Sequence, residues 1–328
     1  MRKTIIFTLF LIISFLISGC QNQKKMTVNF MTNGGNQIPQ ITTHLNTDFN
    51  ESYVPYKEGF IFIGWYIDQA MIESYQNKTF KNKQEITLYA KWRPKSNGDI
   101  DEVMLFEQAY INMQSANTFL LEISGKIDPN VPMIAKQDLK AVKIKDKDTY
   151  YNYTVSKGTV TTFYEIYGTF EQSTLKKGNK VDDKLNPISA NSKEEINLET
   201  FKEIYGVLPY ELNYIVNKQT VIGITDSTQD ETGYHFTLVL DNELSSENYK
   251  KNIVATNTAK SELPVFEQIK LKVSIDKEGF FTQIIYQEIY KIRIQLPVIG
   301  FSTQKITTEI KETFTNFNQE VHIKPYDI

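Results

Sequence analysis

The chain has 328 residues, a formal charge of −3 and a single cysteine. A charge this small, with both signs spread along the chain, argues against nucleic acid as a partner, and one cysteine excludes a disulfide framework, so the fold stands on its hydrophobic core. Aromatic residues make up 12% of the chain against only 15 glycines, a composition suited to a large β-rich core.

Arg2 and Lys3 precede an apolar run from Thr4 to Ile17, and Ser18, Gly19 and Cys20 follow before the text turns polar at Gln21. This is the layout of a secretory signal peptide. The run is shorter than the roughly 20 residues that span a bilayer. Ile17-Ser18-Gly19-Cys20 resembles a bacterial lipobox. The resemblance implies removal of residues 1–19, a palmitate-type lipid anchor on Cys20, a tether over 20–25, and a place on the extracytoplasmic face of the cell membrane. Two or more acyl chains give stable anchoring where one gives marginal binding. The competing reading is a packed cysteine in an uncleaved anchor helix. Without Arg2 and Lys3 the mature chain has 34 basic and 39 acidic residues, a charge of −5.

Residues 26–92 form a compact β-rich segment. Val28 and Phe30 alternate with polar neighbours, as in a half-buried strand, and Asn33-Gly34-Gly35 supplies the positive φ of a tight turn. Lys57-Glu58-Gly59 leads into a second strand with Phe60, Phe62 and Gly64-Trp65, and Ile86, Leu88 and Ala90 share one face of a last strand. The blocks N-G-G, K-x-G-F-x-F-x-G-W-Y and T-L-Y-A-K-W resemble the internalin-type B repeat, also called the Listeria–Bacteroides repeat. The resemblance implies a small β-grasp-like module of bacterial surface proteins. Trp65 and Tyr66 are candidate binding residues; the alternative is that both fill a miniature core, which a module this small needs.

Residues 93–98 read as a linker, since proline, serine and glycine break both hydrophobic periods. Residues 99–328 then read as one β-rich domain. Asp99-x-x-Glu102 has the form of a capping box ahead of a helical stripe of Val103, Phe106, Tyr110 and Met113. Tyr151, Tyr153 and Val155 alternate in a strand, and Val160, Thr162, Tyr164 and Ile166 mark the next. Ser192-x-x-Glu195 is a second capping-box pattern before Leu198, Phe201 and Tyr205, with Gly206 as the stop. A hairpin joins Val221–Thr225 to Tyr234–Leu240, Tyr249 and Ile253 mark a third helix, and a meander runs through Ile269–Ile275 and Phe280–Leu296. The Thr-rich segment Ser302–Thr315 leans to strand, although Ile306, Ile310 and Phe314 also fit a helix. The expected fold class is mainly β, or α+β: a β-grasp-like module followed by a larger antiparallel, curved sheet with a few helices. The order of elements resembles, in topology alone, the LolA-type lipoprotein carriers.

Motifs for catalysis are missing. His44, His235 and His322 are far apart and lack metal-ligand spacing, and no Walker A, G-x-S-x-G or H-E-x-x-H occurs. Ser173-x-x-Lys176 lacks its companion motifs, and the acidic loop Asp226, Asp230, Glu231 lacks the rhythm of a calcium site. No cofactor and no metal are expected, and the chain is not read as an enzyme. Glu288 is the remaining candidate binding residue. It falls on the apolar face of Ile284, Tyr286, Tyr290, Ile292 and Ile294, where a carboxylate is costly unless paired. A β-bulge between Tyr286 and Tyr290 would turn it to water; otherwise it is structurally paired or touches a ligand. The expected function is surface binding or envelope interaction through a partner, with the membrane reached by the lipid anchor. The alternative is a carrier or sensor of an apolar, lipid-like ligand, because Phe280–Leu296 is apolar on both faces and needs cover on both.

Overall fold

The computed structural model describes residues 25–44, 55–75, 84–95, 101–130, 136–256, 260–296 and 300–328. Cys20 with its signal peptide, Asp99, and residues 96–98 of the 93–98 linker lie outside them. By packing, the chain divides into two units, one from Met1–Glu51 and Phe62–Arg93, the other from Ser52–Ile61 and Pro94–Ile328.

The first unit carries a sheet built from β1 (Lys25–Met31), β2 (Ile41–His44), β3 (Phe60–Tyr66) and β4 (Glu85–Pro94), in the order β2-β1-β4-β3. β1 runs antiparallel to β2 and parallel to β4, with Val28 opposite Ile86 and Phe30 opposite Leu88. A parallel pair needs a long crossover, and here the crossover contains β2 and β3. Asn33 and Gly34 take positive φ in the turn after β1, as the N-G-G block predicts. Val28, Leu88, Ala90 and Trp65 are buried in the small core.

The second unit is dominated by one antiparallel sheet of eleven strands. Its first meander is β5 (Thr118–Asp128), β6 (Gln137–Asp146), β7 (Thr149–Lys157), β8 (Thr162–Thr169) and β9 (Ser173–Gly178). The short β10 (Lys180–Val181) and β11 (Pro187–Ser189) form a separate ribbon, and β12 (Ser192–Ile196) closes the edge beside β9. The second meander is β13 (Val221–Gln229), β14 (Tyr234–Leu240), β15 (Val265–Ile275), β16 (Phe281–Leu296) and β17 (Gly300–Thr315). The last strand returns beside the first, β17 pairing with β5, and so fuses the two meanders into one sheet.

Three helices are described: α1 (Glu102–Ser115), α2 (Leu198–Tyr205) and α3 (Glu247–Thr256). α1 buries Val103, Phe106, Ala109 and Met113, and the Phe106 ring lies 5.0 Å from that of Phe281 on β16. Each large side chain fully buried in this way contributes roughly 1.5–3 kcal/mol. The N-cap of α1 is Asp101, whose carboxylate accepts the Met104 amide, two residues beyond the Asp99 that the sequence pattern favours. The second capping-box pattern is also displaced. Ser192–Ile196 is strand β12, with Glu194 opposite Leu175, and the cap is Asn197, accepting the Thr200 amide at 2.8 Å. The N-cap stands directly before the first helical residue, here Leu198, where its side chain can accept an otherwise unpaired first-turn amide. Gly206 ends α2 in the left-handed region at φ 79°, where an added Cβ would lie 2.1 Å from the Asn248 carbonyl oxygen.

β7 is covered on both faces. Tyr151, Tyr153 and Val155 pack on one side, as their alternation predicts, while Tyr150 and Asn152 are buried on the other beneath α2 and the chain that follows it. Asn152 is tolerated there because its amide donates to the Pro209 carbonyl at 3.1 Å.

Candidate functional site

In the first unit the two candidate residues differ. Trp65 is buried, with its ring 5.0 Å from Phe30 and 5.4 Å from Phe62. Tyr66 is half-buried, and the Lys91 ammonium stands 4.7 Å from its ring centroid. Trp65 thus fills the small core, and Tyr66 keeps some surface.

Glu288 sits at the centre of the larger core. Strand β16 pairs with β17 without a register shift from Gln283 to Leu296, so Tyr286, Glu288 and Tyr290 stand opposite Ile310, Thr308 and Ile306 on one face. The bulge expected between Tyr286 and Tyr290 is therefore not in β16. It lies one strand over, in β15, where the pairing steps from Phe266 to Gln268 and leaves the extra residue Glu267 in reach of Lys291 and Lys305. A bulge relieves the strand that carries the additional residue, and that strand is the one with an exposed carboxylate.

Glu288 is 1% exposed. Tyr214 donates to its Oε1 at 2.7 Å and Thr308 to its Oε2 at 2.6 Å. Tyr214 comes from the segment between α2 and β13 and stacks on Tyr286 with centroids 5.8 Å apart. Tyr286 in turn donates to Oε2 of Glu312 at 2.7 Å. Glu312 and Lys143 share this face of the sheet, and the Lys143 ammonium donates to the Glu211 carbonyl at 3.2 Å. Burial pushes the Glu288 carboxyl above the usual range; the Thr308 and Tyr214 hydrogen bonds pull it back, and Glu312 adds to the rise. Glu312 is raised by burial against the pull of Lys143 and Tyr286. Lys143 is lowered by burial against the attraction of Glu312 and Glu211. Burial likewise drives the Tyr214 and Tyr286 hydroxyls far up, so both stay protonated donors.

This network ties β16, β17 and β6 to the 208–217 segment. It contains hydrogen-bonded acids, hydroxyls and one amine, all enclosed. Among the described residues no group of three or more His, Cys, Asp or Glu side chains is placed to hold a metal ion. Sequence reasoning found Glu288 but missed Glu312, Thr308, Tyr214 and Lys143. Glu312 and Thr308 carried a readable signal, since once Ser302–Thr315 is taken as a strand they alternate with Ile306, Ile310 and Phe314. Tyr214 and Lys143 carried none, because only the fold brings them there.

The other motifs separate. Ser173 faces Tyr150, whose hydroxyl it meets, and donates to the Thr169 carbonyl at 2.7 Å. Lys176 is three residues on in the same strand, hence on the opposite face, paired with Glu165 at 3.1 Å. In the acidic loop Asp230 accepts the Thr232 amide at 2.7 Å and its hydroxyl at 2.6 Å, and it stands 3.2 Å from His235. These contacts hold its carboxyl well below the usual range. The face of β16 that invited an apolar ligand is covered by the chain itself, through α1 and the Tyr214 and Tyr249 rings. On the other face Ile285 and Ile289 are half-buried; Ile285 stands beside Lys272 and Lys311.

Residues 27–91 match the family model described as the Listeria-Bacteroides repeat domain. Two proteins of Evansella cellulosilytica are similar over 66 residues each, a candidate Gly-rich membrane protein at 38% identity and a candidate membrane protein at 36%. Both matches cover 20% of this chain, and the chain spans 8% and 10% of the length of these relatives. Among solved structures, a DUF1329 family protein from Desulfovibrio piger aligns with 69% of this chain and 96% of its own, at 8% identity and a TM-score of 0.26, too low to carry an argument. The family likeness of the chain thus rests on the repeat at residues 27–91, with its N-G-G, G-W-Y and K-W blocks.

Proposed function

We propose that this chain is a lipid-anchored protein on the extracytoplasmic face of a bacterial cell membrane, acting in surface binding or envelope interaction without catalysis. The observation that carries the reading is the repeat at residues 27–91, set directly behind the lipobox-like Ile17-Ser18-Gly19-Cys20. The membrane-protein names of the two relatives support it. Among the described residues no helix is long and apolar enough to cross a membrane; this reading gives attachment to Cys20. Ser173 and Lys176 lie on opposite faces of β9 and so form no Ser–Lys pair. The chain-covered face of β16 favours binding at the surface over carriage of an apolar ligand.

The test is metabolic labelling of cells with a palmitate analogue. Wild-type protein takes up label and partitions with membranes, and Cys20→Ser is unlabelled and unprocessed. A wild-type protein without label ends the anchored reading.

A further inference from the structure

Helix α2 covers one face of β7 to β9. The opposite face holds Tyr151, Tyr153, Val155 and Phe163, and residues 321–328, which form neither strand nor helix, lie on it. Val321, Ile323, Tyr326 and Ile328 pack against this cluster, whereas His322, Lys324 and Asp327 are exposed. A near-alternating pattern is that of an extended peptide, here laid across side chains instead of added to a sheet edge.

The tail is gripped by its main chain. The Tyr326 amide donates to Glu165 Oε1 at 2.8 Å, and the Tyr326 carbonyl accepts from the Lys176 ammonium. The Glu165 and Lys176 side chains are 0% and 4% exposed. Such a buried pair is costly to desolvate unless its remaining hydrogen-bonding capacity is met, and a peptide N–H and C=O meet part of it, groups that nearly every residue carries. The Tyr326 ring lies 5.2 Å from that of Tyr153, and its hydroxyl donates to Asn186 at 2.9 Å. No residue of 321–328 is fully buried. An open depression of about 380 Å³ borders the tail, lined in part by Tyr167, Val321 and Ile323. The root of the tail is fixed independently: the Asn318 amide donates to the Thr118 carbonyl at 3.0 Å, and the Thr118 hydroxyl to the Gln319 carbonyl at 2.6 Å.

We infer that this face is a docking groove for an extended peptide, with Glu165 and Lys176 as its main-chain clamp, and that residues 321–328 fill it in cis. The occupant it fits in trans is an extended segment of a partner protein with apolar residues at alternate positions and a tyrosine at the clamp, the chemistry that the seated tail displays. Tethering gives the tail a high effective concentration, so the groove opens to a partner when the tail is cut or outcompeted. The inference stands whether or not Cys20 carries lipid.

The test uses the full chain with a protease site inserted between Gln319 and Glu320, cut after folding, and a fluorescent peptide copying residues 320–328. The cut protein should bind the peptide saturably at one per chain, and the uncut protein at least tenfold more weakly. The peptide with Tyr326→Ala should bind at least tenfold more weakly. A cut protein that keeps its circular dichroism yet takes up no peptide overturns the inference, as does equal binding of the alanine peptide. If cutting unfolds the protein, hydrogen exchange on the uncut chain reads the same competition: excess peptide should speed exchange at the Tyr326 amide, and unchanged exchange overturns it. An uncut dimer that excludes the peptide would place a second copy in the groove and also overturn the partner reading.

Discussion

Replacing Glu288 by alanine removes the acceptor of two buried hydroxyls, Tyr214 at 2.7 Å and Thr308 at 2.6 Å. Each buried donor left without a partner costs about 1–3 kcal/mol. Relief from burying the carboxyl offsets part of that sum, so the expected loss is about 2–4 kcal/mol. For a unit of this size each kcal/mol moves the melting temperature by roughly 2–4 °C, which gives a drop of about 4–16 °C. Glu288→Gln tests the ionisation separately, since the amide can accept one hydroxyl hydrogen bond and donate to the other oxygen. Because burial raises the folded-state pKa of Glu288, the native state binds more protons than the unfolded one between the two values. Wild-type stability therefore falls as pH rises from the unfolded carboxylate range, about 4.3, through the raised folded value, and is flat above it. Glutamine does not titrate, so the advantage of wild type over Glu288→Gln should shrink or invert as pH rises from about 4.3 through the raised folded value. Melting followed by circular dichroism across that range is the assay. An alanine variant losing less than about 1 kcal/mol, or a pH-independent difference between wild type and glutamine, would refute the reasoning.

Asn197→Ala should cost about 1 kcal/mol in urea unfolding, as the loss of an N-cap does, while Ser192→Ala should stay within about 0.5 kcal/mol; the reverse order would restore Ser192 as the cap. Phe106→Ala should cost about 3–5 kcal/mol if α1 covers β16 as described, and a loss typical of a surface site would remove that cover.

Many strands of the two units were legible because side chains alternate with period two wherever one face is buried, whereas β2, β5, β6 and β9 were not read from the sequence. Ile269–Ile275 and Ile86–Ala90 read correctly for that reason, and Tyr234–Leu240 read as a strand although Phe236–Leu240 is buried on both faces. The turn at Asn33-Gly34 and the stop at Gly206 were legible because positive φ selects few residues. Both capping-box patterns were displaced because a short polar pattern recurs by chance, and the apolar stripe that fixes the true cap is a longer-range feature. Glu288 was legible as a carboxylate on an apolar face. Its fate was not, because its partners Tyr214 and Thr308 lie 74 and 20 residues away in sequence. The same holds for the clamp at Glu165 and Lys176, whose peptide partner is 161 and 150 residues distant. Periodicity and turn chemistry act between neighbours in the chain, and sequence alone determined them. Which buried charge meets which donor depends on strand order and register, and only the tertiary structure, by closing the large separations, decided that.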